Sequence, residues 1–199
     1  MPFVPLLSSL PFPPPPNLFN KYDKPATCFL LGTIFTNWTF DHATLWTALP
    51  PTAPTLAAIE SHYTQLHHAP PIIPRVLHIT IGTGILGFLV KLYKPSESNM
   101  LFDGASLVLY MIALVMYGTN VVKGMRIIAG GDYGEEVGRV DTLRVVAASQ
   151  VIIALVLVGV LVLQSGQWYA EKKEEQEVRG LELKEEWERE ERRGGKKKN

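Results

Sequence analysis

Polar and apolar positions divide this chain into long uncharged runs separated by charged or proline-rich stretches. Thr27 to Phe40 is uncharged for 14 residues, Val76 to Val90 for 15, Gly104 to Val122 for 19 and Val145 to Ala170 for 26. Within the last run, VIIALVLVGVLVL has no polar face. A helix that is apolar all round belongs in lipid or in a large core, and a chain of 199 residues cannot supply several such cores. The pattern predicts an all-α polytopic membrane protein, a four-helix transmembrane bundle with spans near 27–40, 74–93, 104–122 and 145–169. A helix over 27–40 reaches only about 21 Å against a hydrocarbon core of about 30 Å, so the first span reads as short or truncated. Trp168 and Tyr169 close the last run, as aromatic belts do at a membrane interface. Lys91, with its stem in lipid and its ammonium snorkelling, ends the second.

The flanks complete the domain plan. Residues 1–26 form a proline-rich leader expected to be extended or disordered. It lacks a basic start and is broken by prolines, so it reads poorly as a signal peptide. The transmembrane domain is 27–170, and 171–199 is a charged tail. Asp41 to Pro74 reads as a polar loop holding four of the five histidines. Net charge is zero, but ten basic and ten acidic residues crowd into the tail, leaving nine of each elsewhere. With four spans, one side holds Lys21, Lys24, Lys91, Lys94 and ten tail residues, and the other holds Arg75, Lys123, Arg126, Arg139 and Arg144. The excess of basic residues belongs on the cytosolic side. The tail is therefore expected in the cytosol and the histidine loop across the membrane.

Chemistry-bearing motifs are few. Gly82-x-Gly84-x-x-Gly87 has the spacing of a dinucleotide fingerprint, with Asp103 near the place of a ribose-binding acid. That fingerprint needs a strand before the glycines and a βαβ unit around them. Here the glycines lie inside one uncharged run, so an oxidoreductase reading fails on context. In lipid, small residues let helices approach closely. Thr80 with Gly84, and Thr83 with Gly87, make such a groove, for a helix of this chain or of a client. Asn120, Ser149 and Gln150, with Gln164 and Gln167 nearer an end, are polar groups in apolar runs. They read as interhelical hydrogen-bonding groups, Asn120 and Gln150 being further candidates for client contact. Charged residues are missing from mid-span, which argues against a proton-coupled pump or ion carrier. His42, His62, His67 and His68 lack metal-ligand spacing and read as solvated. Cys28 is the sole cysteine. No catalytic, cofactor-binding or metal residue is assigned, and no cofactor is expected. Asn37-Trp38-Thr39 is a glycosylation sequon so close to the membrane that it is expected to stay unmodified.

Acid-before-base pairs at i, i+4 (Glu175/Arg179, Glu185/Arg189, Glu188/Arg192) favour a solvated helix in the tail, up to Arg193. Lys196 and Lys197, fourth and third from the last residue, match a dilysine retrieval signal of endoplasmic-reticulum membrane proteins.

Several short motifs, in order, resemble one family. FLLGTIFTN (29–37), HYTQLH (62–67), GTGILG (82–87), KLYKP (91–95), TNVVKGM (119–125), AASQ (147–150) and LQSGQWY (163–169) are similar to the fungal Shr-type (super-high histidine resistance) membrane-localised chaperones. The resemblance covers about residues 28–170. It implies four spans with both termini cytosolic, residence in the endoplasmic-reticulum membrane, and no enzymatic activity. It further implies amino-acid permeases as clients, kept from aggregating and packaged into transport vesicles, with vesicle coat components meeting the cytosolic tail. A small membrane carrier or channel, or a structural tetraspan protein, are the alternative readings. The family's first span runs to about twenty residues, and here the apolar run is shorter.

Overall fold

The computed structural model describes residues 23–47, 50–93, 97–134 and 138–195. Six α-helices follow in order: α1 (Asp23–Leu45), α2 (Ala53–His67), α3 (Ile72–Tyr93), α4 (Glu97–Met116), α5 (Lys123–Gly130) and α6 (Arg139–Gly195). A π-helical turn, Tyr117–Val122, joins α4 to α5 without a break.

Local chemistry sets several boundaries. Thr52 precedes α2 in an extended conformation and a proline sits in its first turn, where the missing N–H has no helical partner to lose. Pro74 occupies the first turn of α3 for the same reason. Gly131 ends α5 in the left-handed region at φ 69°, and its N–H bonds the Ile128 carbonyl. Nothing interrupts the helical pattern between Arg139 and Gly195, so span and tail form one helix of 57 residues, about 85 Å long. Arg189 meets Glu185 at 3.4 Å on its exposed part, at the i, i+4 spacing.

Three stretches are long and apolar enough to cross a membrane: Ile72–Tyr93, Met100–Gly130 and Arg139–Glu190. The second combines α4, the π turn and α5. The chain is an all-α membrane protein. α1 has a less apolar composition, yet it is 23 residues long, about 34 Å, and starts ahead of the uncharged run at Thr27. Residues 23–26, expected in the leader, are therefore its first turn.

Four helices close into a ring. α6 lies between α4 and α1, α1 packs on α3, and α3 packs on α4. Neighbours around the ring run antiparallel. An apolar cavity of about 40 Å³, lined by Leu30, Ile34, Leu77, Ile81, Leu114 and Leu157, marks the place where all four meet. Of the three long apolar stretches, that of α6 is the most enclosed, 39% buried against 17% for α3.

Close approach depends on particular glycines. A side chain at Gly84 would collide with the Tyr110 hydroxyl of α4, and one at Gly124 with the Val146 side chain of α6. Gly159 and Gly166 of α6 lie opposite Leu109 and Phe102, with 3.6 and 3.7 Å to a hypothetical Cβ. Gly82, by contrast, faces open space.

The stretch expected as a loop, Asp41 to Pro74, instead holds the end of α1, all of α2 and the start of α3. Leu56, Ile59 and Tyr63 line the buried face of α2. This face packs on α5 and on the ends of α1 and α6, capping the ring. Proline and histidine content concealed an amphipathic helix there.

Candidate functional site

Polar side chains inside the ring gather at its two ends. Near α2, the last turns of α1 contribute Asn37 and Asp41, α2 contributes His62 and Tyr63, and α6 contributes Gln150. Asp41, Tyr63 and Gln150 are 2%, 0% and 3% exposed, so water cannot satisfy them. They satisfy one another in a chain. Asn37 Nδ2 donates to Gln150 Oε1 at 3.0 Å, Gln150 Nε2 donates to the Tyr63 hydroxyl at 2.8 Å, and Tyr63 donates to Asp41 Oδ1. His62 Nε2 lies 3.0 Å from Asn37 Oδ1. The Asn37 amide nitrogen is already committed to Gln150, so its oxygen faces the imidazole and His62 Nε2 carries the hydrogen. The His62 ring stacks on Phe40 with centroids 3.9 Å apart. Burial holds the His62 imidazole below its ordinary pKa.

One turn away, a second group ties α2 to the start of α6. Arg139 donates to Glu60 through Nε at 2.6 Å and Nη2 at 2.5 Å, and the Tyr133 hydroxyl donates to the same carboxylate. The Arg139 hydrogen bond leads in holding Glu60 below the usual carboxylate range. These residues border an open groove between α2 and α5. A depressed pKa means the clasp contributes fully above pH 4.5 and is lost on acidification below it. Proteolysis of the segment joining α5 to α6 should therefore accelerate below that pH, and Glu60→Gln should abolish the acceleration. Equal acid sensitivity in both proteins would contradict the clasp.

At the same level as Gln150, Asn120 in the π turn donates to Ser149 Oγ at 3.0 Å. At the far end, Lys91 of α3 pairs with Asp103 of α4 at 3.9 Å, with side chains 8% and 5% exposed. Gln167 of α6 donates to Asp103 and to Glu171, both at 3.1 Å. Lys91 is thus enclosed instead of snorkelling outward, because Asp103 offers it a counter-charge within the bundle.

These contacts place the sequence candidates. Gly84 and Gly87 are buried on α3, Gly84 beneath Tyr110. Asn120 and Gln150 bond to neighbouring helices of the same chain. Thr80 and Thr83 bond the Val76 and Ile79 carbonyls of their own helix, and Thr83 is exposed on the outer face. Asp103, the would-be ribose acid, faces Lys91 and Gln167. Lys196 and Lys197 lie outside the described residues. Among the described residues, no three His, Cys, Asp or Glu side chains gather as metal donors.

Asp41, Tyr63 and Glu60 carry no motif signal in the sequence, and His62 reads there as a solvated histidine. His42, His67 and His68 are exposed as expected, but His62 is half-buried and bonded. The available signal was the spacing of Leu56, Ile59 and Tyr63 after Thr52-Ala53-Pro54, an amphipathic helix with a start signature. Glycosylation would modify the Asn37 nitrogen that Gln150 already holds. The full-length protein is expected to keep its gel mobility after endoglycosidase treatment, and a shift would contradict that placement.

Comparison with known proteins adds independent information. The profile of a family described as ER membrane protein SH3, the SHR3 chaperone family, matches residues 25–199. Secretory component protein psh3 of Schizosaccharomyces pombe is 28% identical over 141 residues, 71% of this chain. The chain spans 64% of the length of that relative. No solved structure matches. On a match that runs through all six helices, the chain belongs to the SHR3 chaperone family of endoplasmic-reticulum membrane proteins.

Proposed function

We propose that the protein is an endoplasmic-reticulum membrane chaperone that assists the folding of amino-acid permeases and their packaging into transport vesicles. The family match over residues 25–199 carries this reading, and the relative named as a secretory component supports its transport half. In this reading all four ring helices span the membrane, α2 and α5 lie on the lumenal side, and the tail lies in the cytosol. The charge bias of the sequence supports that orientation. Vesicle coat components would meet the charged end of α6. Lys196 and Lys197 would return the protein to the endoplasmic reticulum.

The physical basis is the contrast between the two sides of the ring. Inward polar groups such as Asn37, Tyr63, Asn120 and Gln150 bond to neighbouring helices, while the outer faces carry large exposed apolar side chains such as Ile79, Leu86, Leu155 and Val162. Exposed Thr36, Thr39, Thr83 and Thr119 interrupt these faces. Each donates its hydroxyl hydrogen to its own helix, which leaves oxygen lone pairs turned outward. An unfinished permease helix presents polar groups that are costly in lipid. An apolar face with scattered hydroxyl acceptors can hold such a helix weakly, at about 0.6 kcal/mol per hydrogen bond, and release it to its final partners. Thr80 and Thr83 are the candidate client contacts. Gly84, Gly87, Asn120 and Gln150 serve the helix–helix packing that keeps the outer face in shape.

A photo-crosslinking residue at Thr83, Leu86 or Leu155 tests the reading. Newly made permeases should form adducts from these outward positions, and adducts should disappear once the permease has left the endoplasmic reticulum. Absence of permease adducts at all three positions, with the variants present at normal level, would contradict it.

A further inference from the structure

The polar chain near α2 has one direction. The His62 N–H points to Asn37, the Asn37 amide to Gln150, the Gln150 amide to Tyr63, and the Tyr63 hydroxyl to Asp41. Every donor faces the same way, from a half-buried imidazole to a buried carboxyl group. The chain also crosses three elements, since its members come from α1, α2 and α6. Breaking it removes the polar tie between α2 and the ring and leaves the apolar face and the Glu60–Arg139 clasp to hold the helix.

Asp41 is 2% exposed, its side chain accepts from the Tyr63 hydroxyl, and none of the ion pairs found among the described residues reaches it. The charged groups of the surrounding elements are engaged or exposed elsewhere. Glu60 and Arg139 hold each other. Asp141 and Arg144 pair at 3.6 Å on the outside of α6. His42 of α1, His67 and His68 at the end of α2, Arg75 and His78 of α3, and Lys123 and Arg126 of α5 are exposed. An ionised Asp41 would be stabilised mainly by the Tyr63 hydroxyl. A charge-assisted hydrogen bond exceeds a neutral one by about 1–2 kcal/mol, whereas burying a carboxylate without a cation costs several. The docked arrangement is thus favoured when Asp41 holds a proton on its other oxygen, Oδ2, while Oδ1 still accepts from Tyr63.

We propose that this chain is a proton-linked latch: α2 is held on the ring when Asp41 is protonated and is loosened when Asp41 ionises and draws in water. Protons are taken up on docking, so the latch tightens on acidification. His62 acts in the opposite direction. The docked state prefers its neutral ring, so protonating His62 opposes closure. Glu60 responds only below pH 4.5 and stays silent in the working range.

Hydrogen exchange of the α2 amides in the full-length protein in lipid nanodiscs, corrected for intrinsic pH dependence, reads the latch. As pH is lowered from about 8, the opening constant of α2 in a His62→Gln protein should stay flat above the docked-state midpoint of Asp41 and then fall below it, by up to about tenfold per pH unit, the linkage expected for one proton. Adding Asp41→Asn, which keeps the shape and the acceptor but cannot ionise, should give a closed α2 with a flat profile. A carboxyl carbon-13 titration of Asp41 in the otherwise unaltered protein gives a second reading, independent of variants. Its midpoint should lie above the ordinary aspartate value. A flat profile with Asp41 intact, the same slope with and without Asp41→Asn, or a carboxyl that titrates at its ordinary value would overturn the latch. The client-binding reading would survive any of these results.

Discussion

Exchanging Gln150 for leucine is expected to lower the stability of the helical bundle by about 2–4 kcal/mol. Leucine keeps most of the side-chain volume, so packing changes little. What is lost is the bridge between α1 and α2. The Asn37 amide and the Tyr63 oxygen would face a surface that cannot bond them. Each orphaned buried group costs about 1–3 kcal/mol, while interhelical hydrogen bonds in membranes average about 0.6 when the groups find new partners. Burial decides between these values: Tyr63 is 0% exposed, and water cannot replace the lost amide. Denaturation in mixed micelles would read the loss. A double change of Gln150→Leu with Asn37→Leu should cost less than the sum of the single changes, because the two residues share one bond. A strictly additive pair, or a single change costing nothing, would contradict the network.

Leucine at Gly84 should be comparably severe, while leucine at Gly82 should be nearly silent. The two glycines belong to the same motif and lie two residues apart. A side chain at Gly84 meets the Tyr110 ring, which is 0% exposed and packed on Phe88 at 5.3 Å. The ring has nowhere to move, so α3 and α4 must separate. Overpacking of this kind costs about 1–3 kcal/mol, more where backbones must shift. Gly82 faces open space, where added apolar surface meets lipid. The check is the amount of folded protein recovered in detergent from the two variants. Equal recovery would show that α3 and α4 do not meet as described.

That contrast also shows how far the sequence could be read. The uncharged runs revealed the apolar helices because a bilayer demands length and the absence of charge, and both are visible in one dimension. The context of the glycine motif pointed to a helix and not to a βαβ turn, and all three glycines lie inside α3. Which of its glycines faced a neighbour was beyond reach, since that depends on the rotation of α3 against α4. Charge counting and proline content misread the stretch from Asp41 to Pro74. A helix lying on a ring end needs only one apolar stripe, and Leu56, Ile59 and Tyr63 supply it among polar residues. The polar chain was harder still. Its members are up to 113 residues apart, and nothing in Asn37 or Asp41 announces Gln150 as a partner. Asp103 and Lys91 stood at span ends and read as boundary charges. Their enclosure follows from Gln167 and Glu171 of α6 arriving beside them.

The function proposed above, protection of permeases in the endoplasmic-reticulum membrane, can be tested in the cell. The most direct measurement removes the gene in the fungus and follows one tagged amino-acid permease by native gel and by microscopy. The account predicts that the permease inserts, then collects in high-molecular-weight aggregates and fails to reach the plasma membrane, while membrane proteins of unrelated class travel normally. A permease that stays monodisperse and arrives at the cell surface at its ordinary rate would contradict it.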